Sequence, residues 1–197
     1  MALTLGVLAM VAHAQADILD QDNSGPIGGG STVATGFVQA QTFTVGMDGV
    51  LSRIAAGIKQ GGSAVEDITL TLLTTDVGGA PDSILTSAVL TPGDVGTAFS
   101  FVSFDISSAN VAVTTGDLLA IQLSSPAANN FPFSQRYEWA QGPSYAGGAA
   151  YTNGTNGNFD FQFQTYLIPE PASAVLLFLG GLALATRRRT RGGIANL

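Results

Sequence analysis

Alternation of apolar and polar positions dominates the middle of the chain. The clearest run is "FDFQFQTYL", residues 159–167. Phe159, Phe161 and Phe163 fall on one side of an extended backbone there, and Asp160, Gln162 and Gln164 fall on the other. A period of two marks a strand with one face buried and one wet. "QTFTV" (41–45), "DITLTLLT" (67–74), "FSFVSFDI" (99–106) and "DLLAIQL" (117–123) share its β-branched and aromatic make-up. "VLSRIAAGIK" (50–59), "ILTSAVL" (84–90), "VAVT" (111–114) and "RYEWA" (136–140) are weaker versions of it. Turn signals stand between them at Gly61-Gly62, Gly78-Gly79-Ala80-Pro81, Thr91-Pro92-Gly93-Asp94, Thr115-Gly116 and Asn153-Gly154. Short strands without a helical period predict an all-β fold, an antiparallel β-sandwich of jelly-roll-like form, over residues 37–168. Residues 17–36, rich in Gly, Ser, Asp and Asn, read as a polar lead-in loop.

The two ends follow different patterns. Residues 1–16 hold an apolar stretch and then Ala12-His13-Ala14 and Ala14-Gln15-Ala16, small-x-small sites that suit a signal peptidase. No Lys or Arg precedes that apolar stretch, which departs from the usual signal. At the other end Pro169-Glu170-Pro171 forms a stiff, extended peptide, because each proline fixes its own φ and holds the preceding residue out of the helical region. Residues 172–186 follow without a charge and form a short membrane helix, about 21 Å over its apolar part against a ~30 Å hydrocarbon core. Arg187, Arg188, Arg189 and Arg191 then make a basic stop on the cytoplasmic side, and residues 192–197 trail it. An ordinary C-terminal membrane anchor would use the same helix and stop, with Pro-Glu-Pro as a mere stiffener.

These residues resemble the PEP-CTERM sorting signal of exopolysaccharide-producing Gram-negative bacteria: motif, helix and arginines stand in that order without gaps. The resemblance implies that an exosortase recognises Pro169, Glu170 and Pro171 and removes the helix, after transient residence in the inner membrane. "AQTFTVG", "LSRIAAGI", "ITLTLLTTDVGGAPDSIL" and "FVSFDISSANVAVTTGDLLAIQL" are similar to extracellular choice-of-anchor domains, most like type R. That likeness implies a secreted β-sandwich in the cell envelope or extracellular matrix, and it brings no catalytic residues.

Charge and composition narrow the chemistry. Between the two processed ends, residues 17–168 hold three basic residues (Arg53, Lys59 and Arg136) against thirteen acidic ones, a net charge of −10. Nucleic acid and anionic lipid are poor partners for such a field. The chain has no cysteine, and its one histidine, His13, lies in the signal segment. Ser-His-Asp and Cys-His nucleophiles and His- or Cys-ligated zinc are therefore excluded from the body. A carboxylate pair of the glycosidase kind remains formally open through Glu66 and Glu138. No cofactor is implied.

Two further patterns are candidates for binding. "DQDNSG" places Asp20, Asp22 and Ser24 at alternating positions with Gly25 sixth, as in the first half of a calcium loop. Its twelfth position is Ser31 rather than the glutamate such a loop needs. "RYEWAQGPSYAGGAAYTNG" concentrates Tyr137, Trp139, Tyr145 and Tyr151, polar-tipped aromatics that either stack on sugar rings or plug the core and brace turns. The functional expectation is an exported, non-enzymatic protein of the envelope or matrix, associated with extracellular polysaccharide. The alternative is a carbohydrate-binding module built on those aromatics, and a glycoside hydrolase is a more distant one.

Overall fold

The strand weakly marked by alternation is the longest of the described ones. The computed structural model describes residues 16–62, 64–129 and 135–169. In it β4 (Gly49–Gln60) is a 12-residue strand at the centre of a sheet. Its inward residues Leu51, Ile54, Ala56 and Ile58 are fully buried. Opposite the step from Tyr166 to Leu167 the register shifts, leaving Ser52 as an extra residue. Such a bulge breaks a period of two, which is why the alternation is blurred there.

All the described strand pairs are antiparallel, in two sheets, as expected of an all-β fold. The first sheet contains β1 (Ile18–Asp22), β2 (Gly29–Val33), β4, β7 (Ser100–Asp105), β8 (Val111–Val113), β10 (Tyr137–Gly142), β13 (Asp160–Phe161) and β14 (Phe163–Pro169). The second runs β12 (Thr155–Asn156), β11 (Ala150–Thr152), β3 (Gln39–Thr44), β9 (Leu118–Ser124), β5 (Ile68–Thr75), β6 (Pro81–Leu90). One edge of β4 meets β14 over Gly49–Ala56 and then β10 over Ile58–Gln60, so the first sheet forks. The other edge meets β8 and then β7.

Between the sheets lies one core. The second sheet contributes mainly aliphatic side chains, Ile68, Leu70, Leu72, Ile121 and Leu123, with Phe43. The first contributes the large rings Tyr137, Trp139, Phe161, Phe163 and Phe104. Gln41 of β3, fully buried, ties the layers together. Its amide donates to Asp160 Oδ1 at 3.0 Å, and its carbonyl accepts the backbone N–H of Phe161 at 2.7 Å. A buried amide is stable only when such partners are present.

Residues 17–36 are not a loop. They supply β1, which pairs with β14, and β2, which pairs with β10. The intervening residues strap the fork: Asn23 N–H donates to Phe163 O, Asn23 Nδ2 to Phe161 O, and Gly28 N–H to Gln141 O. Edge strands that are held through the backbone need few apolar side chains, so composition hides them. The wet side expected of residues 159–167 is also corrected at one position. Gln162, between β13 and β14, is 4% exposed. It lies over Gly57, where an added Cβ would come within 2.6 Å of Gln162 Oε1, and its amide donates to Gly25 O under the strap. Asn153 and Gly154 carry φ of 49° and 78° and turn β11 into β12, two strands too short to show a period.

Candidate functional site

The four aromatics of the Gly-rich stretch do not share a surface. Trp139 points inward from β10 and is fully buried, stacked on Phe161 with centroids 4.3 Å apart and planes 12° from parallel. Its indole N–H donates to Gln162 O at 2.7 Å. Tyr137, two residues earlier and on the same face, is equally buried, and its hydroxyl donates to Glu66 O at 2.6 Å. Burial pushes that hydroxyl up to about 12, with Asp67, Asp94 and Glu66 adding to the effect. No sugar ring reaches either side chain, so of the two readings open for Tyr137 and Trp139 the structure takes the core one: these residues are core plugs.

Tyr145 is half-buried, edge-on to Phe163 at 5.1 Å, and its hydroxyl donates to Gln21 Oε1 at 2.8 Å, which braces β1. Tyr151, 8% exposed, donates from its hydroxyl to Gly79 O at 3.2 Å and so reaches the β5–β6 turn. Both tyrosines are turn and strand braces.

The calcium-loop match is corrected as well. Asp20 and Asp22 belong to a strand, and their carboxylates face protein donors rather than a shared centre. Asp20 accepts from Gly46 N–H at 3.0 Å and from the Thr165 hydroxyl at 3.3 Å, and Asp22 accepts from Gln164 Nε2 at 3.2 Å. Burial raises the Asp20 carboxyl above its ordinary value in spite of those hydrogen bonds. Among the described residues no group of three or more His, Cys, Asp or Glu side chains gathers to hold a metal ion. Asn153 spends its side chain on Val38 N–H and Gly36 O, within the fold.

A different cluster forms where the chain enters and leaves. Ile18 pairs with Leu167, and Pro169 pairs with Gly49 as the last residue of β14. Pro169, the first residue of the Pro-Glu-Pro stretch, is thus part of the sandwich. Glu170, Pro171, Arg187, Arg188, Arg189 and Arg191 lie outside the described residues. A cleft of about 420 Å³ opens beside this junction, lined by Asp17, Arg53, Ser103, Asp105 and Ile168 among others. Arg53 donates from Nε to Asp17 at 2.6 Å, and its guanidinium lies 3.3 Å from the centre of the Tyr166 ring. Sequence reasoning passed over this cluster. The available signal was a lone arginine in an apolar strand, in a body with three cations.

The other two cations sit on the same outer face. Lys59 and Arg136 take one oxygen each of Glu138, at 3.2 and 3.0 Å. Desolvation raises the Glu138 carboxyl, but the hydrogen bonds from Arg136 and Lys59 outweigh it and leave the group below its ordinary value. With both oxygens held by cations, Glu138 is poorly placed to give or take a proton in hydrolysis. No protein-family model matches the chain, and no curated protein matches it.

Proposed function

We propose that this chain is an exported, non-enzymatic component of the cell envelope or extracellular matrix, associated with extracellular polysaccharide and sorted through its C-terminal segment. One observation carries the reading: Pro-Glu-Pro, a short uncharged apolar run and an arginine cluster stand in that order from the end of the last strand onward. Signal peptidase and exosortase are its processing partners, and the inner membrane holds it transiently. The register of the terminal strands supports this reading. With Ile18 beside Leu167, an N-terminal signal and a C-terminal helix would both leave from the same end of two neighbouring strands. The body can then hang from a single membrane surface until both are removed. The non-enzymatic part rests on a body without His or Cys and on a Glu138 locked between two cations.

The test is Glu170→Gln combined with Pro171→Ala in a producing host, followed by cell fractionation. The expected outcome is a chain retained at the inner membrane with its arginine tail and lost from the extracellular fraction. Unchanged release would contradict the sorting role of the motif. The carbohydrate-binding alternative loses Tyr137 and Trp139, and no other observation favours it.

A further inference from the structure

The free strand edges of the sandwich are protected unequally. An open edge presents unpaired N–H and C=O groups, and proteins blunt such edges with charge, shortness or bulges. The β1 edge carries Asp20 and Asp22, and β12 is two residues long. The β6 edge is different. This ten-residue strand pairs with β5 alone among the described residues, and it closes the second sheet. Pro81 and the register shift around Leu85 blunt its first half, but Thr86–Leu90 pairs in regular register. Ile84 is 70% exposed and Val89 55%. Directly alongside, β7 ends the first sheet with Phe101 at 38% exposure, so both sheets stop on one side of the molecule. The strand's one charge, Asp82, sits at its blunted start and accepts from the Ser83 hydroxyl at 3.1 Å; from Ser83 to Phe104 the single charge is Asp94, and its carboxylate is turned back onto the Thr91 backbone N–H and hydroxyl.

We propose that the β6 edge pairs with the β6 edge of a second copy of this chain, antiparallel about a two-fold axis near Ala88. What can satisfy an open strand edge is another strand, and a two-fold makes a strand its own complement. Electrostatics select the copy. A body of net charge −10 repels itself wherever acids line the contact, whereas residues 83–93 bring no charge to it. In this register Val89 of one chain lies opposite Ser87 of the other, both on the outer face of the continued sheet, and Phe101 flanks the junction.

The cysteine-free chain makes a clean test. Full-length protein carrying Ser87→Cys is treated with a short bis-maleimide and run on a denaturing gel beside Asn156→Cys, on β12 away from the edge. The proposal expects a dimer band with Ser87→Cys, none above background with Asn156→Cys, and loss of the band when Val89→Lys is added. Trp139 fluorescence, unchanged in the triple comparison, verifies the fold. Equal cross-linking at both positions, or none at Ser87→Cys because another partner or segment covers the edge, would overturn it. Neither result bears on whether the C-terminal segment is a sorting signal.

Discussion

The two sheets of this molecule are built by different rules. In the second, β3, β9 and β5 pair without a register shift, the inward side chains are mostly aliphatic, and the outer face offers Thr69, Thr71, Gln122 and Ser124. In the first, the strands fork, Ser52 and Gln162 interrupt the alternation, and aromatic rings fill the core. Its outer face holds every cation of residues 17–168, each paired with an acid. The β3–β9–β5 part of the second sheet is a wall, while the first sheet gathers the first and last strands and the ion pairs.

The comparison can be broken most directly in the core. Trp139→Ala removes a fully buried ring that is both stacked and hydrogen-bonded, and a loss of about 3–5 kcal/mol is expected in urea unfolding. Ile121→Val, a one-methylene trim in the second sheet, is expected to cost about 0.5–1.5 kcal/mol. Equal losses would contradict the account of Trp139 as a stacked, hydrogen-bonded core plug. Next in size is Gln41→Leu, which strips the Phe161 N–H of its partner and cuts the link between layers; the same assay should read about 1–3 kcal/mol.

Effects on the outer faces are smaller than that of Trp139→Ala. Glu138→Gln should cost about 1–2 kcal/mol at pH 7. Because the Glu138 carboxyl is lowered in the fold, its contribution is present above 4.5, its ordinary value, and is lost as pH falls through the folded value. Parent and variant should therefore converge as pH falls through the folded value, and a gap that does not narrow in acid would contradict the ion-pair account. Thr69→Lys on the uncharged face should stay within about 0.5 kcal/mol at either pH.

How far the sequence reveals this structure depends on what each part is made of. Strands that bury one face, such as 67–74 and 117–123, show their period because the core imposes it. The turns at Gly79, Gly116 and Gly154 are visible because those positions need positive φ. The strands β1 and β2 are invisible: they are held by backbone pairing and by Asn23, and their composition is that of a loop. The aromatic cluster shows that residue type alone does not separate core from surface. Trp139 and Tyr137 alternate with Glu138, and that alternation is what turns both inward while Glu138 meets Lys59 and Arg136 outside. The Arg53–Asp17 contact joins residues distant in sequence, and it requires the bulge at Ser52, which no local pattern announces.

We propose that this sandwich is cargo, cut free at both ends. Intact mass of the protein recovered outside a producing cell tests it most directly. The account predicts a chain that begins at Asp17 and lacks residues 172–197. A chain of 20.1 kDa, uncut at both ends, in that extracellular fraction would contradict it.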